Sequence, residues 1–150
     1  MSMARIVAVV ALMCSAVAAQ AADGLIAVRS PYGTQETMDR LEATVKQRGL
    51  TVFARIDHAV GAAKVGKSLR PTELLIFGNP AGGTPLMACA QTAGIDLPLK
   101  VLVWEDEASQ VWLGYNDTAF LARRHDVPAC AAAANLSKAV AGLAAAAVAP

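Results

Sequence analysis

Residues 77–106 read FGNPAGGTPLMACAQTAGIDLPLKVLVWED, and the alternation within them decides the fold class. An apolar run, Glu73 to Phe77, stops at Gly78-Asn79-Pro80. A small-residue turn, Asn79 to Thr84, then leads into a short helix-like insert. A second apolar run, Lys100 to Trp104, follows Leu97-Pro98 and ends in Glu105-Asp106. Short, mostly apolar runs bounded by glycine and proline suit central strands. The stretch is therefore strand, turn, helical insert, strand.

Working outward, Gln110 to Tyr115 reads as a third strand of this half, joined through the acidic loop Glu105-Asp106-Glu107-Ala108-Ser109. Upstream, Gly24 to Ser30 and Thr51 to Ile56 read as two more strands, the latter with Val52, Ala54 and Ile56 on one side. Between them Met38, Leu41 and Val45 share one face of a helix from Gln35 to Arg48, capped by Thr34 and ended by Gly49. Its wet side carries the pairs Glu36–Arg40 and Glu42–Lys46 at i,i+4 spacing. Asp57 can cap a short helical turn, and Asp117 a helix over 118–124, whose basic end holds Arg123, Arg124 and His125. From 129 to 148 the chain is alanine-rich, with Leu136, Val140 and Leu143 as a helical stripe, so it reads as a closing helix. This order predicts an α+β fold: an antiparallel-rich sheet of about five strands with helices packed on one face.

The motifs Ala54-Arg55-Ile56-Asp57-His58, Phe77-Gly78-Asn79-Pro80, Gly83-Thr84-Pro85-Leu86-Met87 and Asp96 to Asp106 together resemble the domain-of-unknown-function 302 family, as does the stretch from Trp112 to Arg124. The resemblance runs over residues 25–125. It implies a TATA-binding-protein-like layout and a domain that pairs with itself as a homodimer, and it implies no known activity. Cys89 departs from the family pattern. The fold name carries no warrant for DNA binding.

The N-terminus reads as a secretory signal over residues 1–21: Arg5 supplies charge, Ile6 to Val17 an apolar core, and Ala19 and Ala21 an Ala-x-Ala exit. The core is shorter than the roughly 20 residues that span a bilayer. Cys14 would suit a lipoprotein signal, but Met13 before it is bulky where such signals carry a small residue. Cleavage after Ala21 or Ala22 would export one domain, residues 22–150, to the periplasm or medium, with no membrane span left. The chain has 13 basic and 12 acidic residues, and Arg5 leaves with the signal, so the mature part is neutral. A neutral domain without a basic stripe excludes the electrostatic footprint of a nucleic-acid binder. Cys89 and Cys130 remain in an oxidising compartment. The sequence leaves open whether they bridge or pack separately as small buried hydrophobes.

Candidate chemistry centres on His58, where an imidazole beside Asp57 at a strand end can act as base, proton shuttle or metal ligand. No closely spaced Cys/His pattern supports a metal, and the sequence leaves any metal or cofactor unassigned. The turn containing Asn79, Gly82, Gly83 and Thr84 offers backbone amides to a small polar or anionic ligand. It lacks the Lys-Ser/Thr ending of a nucleotide loop, and the plainer alternative is a strand-to-helix connection capped by Thr84. His125 serves a helix dipole, and Asp96 braces the turn before Leu97-Pro98. The expectation is an exported, dimeric binding or sensing domain with His58, Asn79, Gly82, Gly83 and Thr84 bordering one pocket, in the folded domain or at its dimer seam. The alternatives are an enzyme using His58 as acid–base, and a structural envelope dimer.

Overall fold

In the computed structural model, which describes residues 22–150, five strands form one antiparallel sheet in the order β1-β5-β4-β3-β2. The strands are β1 (Leu25–Arg29), β2 (Thr51–Asp57), β3 (Thr72–Gly78), β4 (Leu99–Glu105) and β5 (Val111–Asn116). Helix α1 (Thr34–Gln47) joins β1 to β2, and α2 (His58–Lys64) joins β2 to β3. The insert between β3 and β4 is α3 (Pro80–Cys89) followed by a 3-10 turn, Gln91–Ile95. After β5 come α4 (Thr118–Arg124) and α5 (Ala131–Val148). The signal-like segment 1–21 lies outside the described residues.

Strand alternation puts Leu75 and Phe77 of β3, Val101 and Val103 of β4, and Leu113 and Tyr115 of β5 on one face. Met38, Leu41 and Val45 of α1 and Val140, Leu143, Ala144 and Ala147 of α5 close over them as one buried cluster. Each fully buried Leu, Val or Phe stabilises by about 1.5–3 kcal/mol relative to exposure. The alanines of α5 leave room for α1 beside it, and Arg40 of α1 fastens the end of α5. Its guanidinium donates to the carbonyls of Ala147 at 2.9 Å and Ala149 at 2.6 Å, acceptors the helix itself cannot satisfy. By length and composition α5 could cross a membrane, but its apolar stripe is buried in this core. The opposite face carries Leu74, Ile76, Leu102, Trp104 and Trp112, all half-buried, and neither long helix covers it. Gly114 lies under Trp104 there: a Cβ on it would sit 2.7 Å from the indole ring.

Two local expectations are corrected. Thr34 is the first residue of α1 rather than its cap; Gly33 holds the N-cap position, and the Thr37 hydroxyl donates to the Gly33 carbonyl at 2.8 Å. In β2 the alternation does not run through. The register against β3 shifts between Val52 and Ala54, leaving Phe53 as a bulge. Val52 stays over Phe77, but beyond the bulge Ala54 and Ile56 face outward and Arg55 turns inward. One extra residue flips every later side chain to the other face.

Arg55 explains why that flip is tolerated. It donates to Glu73 at 2.6 Å, Asp39 at 2.6 Å and Glu42 at 3.2 Å. Burial pulls its pKa down, but hydrogen bonds to Glu73, Asp39 and Glu42 outweigh that and hold it above the ordinary arginine value. Glu73 is buried, so the guanidinium is the group that compensates its lost hydration.

Candidate functional site

At the end of the sheet where β3 finishes and β2 and β4 begin, α3 and α5 diverge around a groove of about 620 Å³. That volume is in the range of small-molecule sites. Its floor is Leu97 to Leu99, its walls are α3 and the Leu136–Leu143 face of α5, and Phe53, pushed out by the bulge, stands at the mouth. The lining is almost wholly apolar. Small residues make the space. At Gly83 an added Cβ would be in ordinary contact with Leu97, at 3.5 Å, and at Gly82 it would press on Asn79 Oδ1 at 3.2 Å.

Asn79, Gly82, Gly83 and Thr84 all line this groove, but not as a turn. They are the N-cap and first residues of α3, so Thr84 is inside the helix and does not cap it. Pro80 at the first helical position and Asn79 before it are strong start signals. The Asn79 side chain accepts from Gly82 N at 2.7 Å, and the Asn79 carbonyl accepts from Gly82 N and Gly83 N, each at 3.2 Å. Pro80 has no N–H to offer. Most of the amides that would have held an anion are therefore already engaged. Pro85, within the helix, leaves the Ala81 carbonyl without its i+4 donor.

The groove is tied by a disulfide. Cys89, the last residue of α3, is bonded to Cys130, the N-cap residue of α5, with Cα atoms 6.3 Å apart. The sequence left this pairing open; the fold brings the two helix ends together. The bond fixes where both groove walls meet.

His58 is elsewhere. Thr51 pairs with Gly78 and Asp57 with Glu73. His58 therefore starts at the far end of β2 from Asn79, roughly 17–20 Å away along the strands. Within one subunit the two do not border one pocket. His58 is exposed at the start of α2, where Asp57 caps the helix by accepting from Val60 N at 2.8 Å. Among the described residues its imidazole makes no hydrogen bond, and no cluster there could hold a metal ion.

His125 holds the position its sequence neighbours did not suggest. Its ring is buried, with 8% of the side chain exposed, beyond the end of α4. Nε2 lies 2.6 Å from Asp96 Oδ2, and Nδ1 lies 2.9 Å from Thr92 Oγ1. Asp96 also accepts from Arg124 at 2.9 Å through its other oxygen. His125 thus does more than complement a helix dipole, and Asp96 braces α4 as well as its own turn. The sequence carried one usable signal: Thr92 and Asp96 are four apart in a short helical insert. Their pairing with a histidine some thirty residues on depends on tertiary docking.

The structure is similar to the crystal structure of an uncharacterised conserved protein DUF302 from Bacillus stearothermophilus, with a TM-score of 0.76, 24% identity, and coverage of 83% of this chain and 98% of that one. Among curated proteins, the chain is 49% identical over 104 residues to the fluoride-specific ion channel FluC 1 of Brucella suis biovar 1 (strain 1330), covering 69% of this chain and 41% of that protein. The same identity over 104 residues holds for FluC 1 of Brucella abortus biovar 1 (strain 9-941), with 69% of this chain and 38% of that protein covered. The chain thus spans about two fifths of the length of these relatives. The family described as Domain of unknown function DUF302 matches residues 26–143, which is most of the chain, and the chain belongs to that family.

Proposed function

We propose that this domain is an exported, self-pairing binding module for a small apolar ligand, held in the groove between α3 and α5. The groove itself carries the reading: about 620 Å³ with apolar walls, opened by glycines and kept in shape by a disulfide. Water in such a groove is poorly hydrogen-bonded, so an apolar chain or ring gains from displacing it. The ligand differs from the polar or anionic one that a loose turn would suit, because Asn79 occupies the amides of Gly82 and Gly83. For the same reason the groove gives no support to fluoride binding, although part of the Brucella channels resembles this domain. What the channel relatives support is location: a channel sits in a membrane, and the signal-like residues 1–21 would deliver this chain to the same boundary. Self-pairing, implied by the family resemblance, is supported by the half-buried Leu74, Ile76, Leu102, Trp104 and Trp112 on the uncovered sheet face.

The test uses purified residues 22–150 with the disulfide intact and a dansyl-labelled medium-chain fatty acid as probe. Saturable binding with blue-shifted emission is expected. Ala139, on an exposed stretch of α5 that lines the groove, gives the control. Ala139→Trp should abolish binding at unchanged melting temperature. Binding that survives Ala139→Trp, or no binding at all, would reject the groove as the site. Sedimentation equilibrium tests the pairing, and a monomer at high micromolar concentration would refute it.

A further inference from the structure

We propose that Thr92 is an acyl-accepting nucleophile, activated by His125 and positioned by Asp96, acting on esters whose acyl chain lies in the neighbouring groove. The chain-in-groove half of this rests on the binding function proposed above; the activation of Thr92 stands on its own geometry.

The hydrogen-bond chain fixes the proton positions. A carboxylate only accepts, so the 2.6 Å contact with Asp96 Oδ2 requires that His125 Nε2 carry the proton and donate it. In the neutral ring Nδ1 is then the lone pair, which at 2.9 Å is placed to accept from the Thr92 hydroxyl. That is the order of a nucleophile, a base and a group that orients the base. Burial favours this role. Only 8% of the imidazole and 12% of the carboxylate side chain are exposed, whereas Thr92 is exposed and open to a substrate. Arg124 takes the second carboxylate oxygen at 2.9 Å, which holds Asp96 facing the ring.

The cluster also adjoins the groove. Gly94, which lines it, is two residues beyond Thr92, about 4 Å of axial rise in a 3-10 turn. Leu97 and Pro98, directly after Asp96, line it as well. An ester with its acyl chain among these residues would have its carbonyl near the groove mouth.

In the acylation step, Thr92 Oγ1 forms a bond to the carbonyl carbon and its proton passes to His125 Nδ1. The ester C–O bond breaks, and the departing alkoxide takes that proton and leaves as the alcohol. Water then attacks the acyl-threonine, giving its proton to Nδ1. The acid leaves as the carbon–Oγ1 bond breaks, and Thr92 regains the proton. The balance is ester plus water to acid plus alcohol.

The experiment treats oxidised protein with a fluorophosphonate, p-nitrophenyl acetate and p-nitrophenyl decanoate, followed by intact-mass and peptide mapping. A single adduct on Thr92 is expected, absent in Thr92→Ala, retained in Thr92→Ser, and formed at least tenfold more slowly in His125→Asn. Asp96→Asn should slow labelling and move the pH midpoint of the reaction, which a merely structural brace would leave in place. No adduct on Thr92, or an adduct rate unchanged in a folded His125→Asn or Asp96→Asn protein, overturns the proposal. Thr92→Ala loses one exposed hydroxyl, so it stays folded if the histidine variant does not, and labelling that persists in it also overturns the proposal. The acetate ester tests activation alone, and a preference for decanoate tests the groove. Equal rates for the two would reject the groove as acyl holder while leaving Thr92 activation supported.

Discussion

Removing the Cys89–Cys130 bond, by changing both residues to serine, should cost this domain a large part of its stability. The bridged residues are 41 apart. The chain-entropy relation for a loop of that size gives about 4 kcal/mol at 25 °C. The side-chain change itself adds little, since Cys89 is exposed and Cys130 is half-buried. A domain of about 130 residues unfolds with an entropy near 0.27 kcal/mol/K, so the loss corresponds to a melting temperature lower by roughly 15 °C. Guanidinium unfolding of wild type, of wild type with reductant, and of the double variant would measure it. The last two should coincide, about 3–4 kcal/mol below the first. Hydrogen exchange should rise more in α3 than in α1, because α3 is held at its C-terminal end by the bond whereas α1 is built into the central core. A difference below about 1 kcal/mol would refute the reasoning, since the unfolded chain would then gain little freedom from losing the link.

Arg55→Met should destabilise by about 2 kcal/mol, less than the 3–5 kcal/mol of a fully buried broken pair because Arg55 is one quarter exposed. The double change with Glu73→Met should recover most of it in a denaturation cycle, and full additivity would argue against the pair. Gly114→Val should cost about 1–3 kcal/mol by driving the Trp104 ring off the sheet, seen as a red shift in tryptophan emission; unchanged emission would count against it. The Trp112 indole donates to Asp106, and together with the Gln110 and Ala108 amides it holds that carboxyl below its usual range. A lowered folded value means that the contribution is complete above the ordinary aspartate value of about 4 and is lost as pH falls through the lowered one. Trp112 emission should therefore change only below about pH 4, and Asp106→Asn should remove the change. A transition between pH 5 and 7 would be inconsistent with this assignment.

The sheet was legible because its central strands are short, apolar and separated by unambiguous breaks, as at Gly78-Asn79-Pro80 and through the acidic loop before Gln110. The helix faces were legible through Met38, Leu41 and Val45, and through Leu136, Val140 and Leu143, whose 3.6-residue spacing admits one buried side. Phe53 was not, because a bulge is set by what the partner strand needs, here an inward Arg55 for Glu73. Asn79 to Thr84 were rightly gathered as neighbours, but their glycines hid a helix start that Asn79 and Pro80 encode. Within one chain His58 is not among them, for a topological reason: both follow strands, and antiparallel neighbours finish at opposite ends of the sheet. The Thr92, Asp96 and His125 cluster joins segments whose docking depends on the packing of α3, α4 and α5. No local pattern announces that.

The strand order has a consequence for how the chain assembles. The two edges of the sheet, β1 and β2, come from the first part of the described chain, and the three inner strands from the second. Leu25 finds its partner at Asn116 and Arg29 at Trp112, among the most distant pairings the described residues contain. During vectorial synthesis the first strand has no neighbour until β5 exists, whereas α1 already finds most of its floor on β3 and β4. From β2 to β5 each strand pairs with the next in sequence, so these four are the natural nucleus on which β1 later closes. Circularly permuting the described residues to begin at β2, joining residues 150 and 22 by a linker, would make every strand pair consecutive in sequence and should speed folding while leaving the final sheet unchanged.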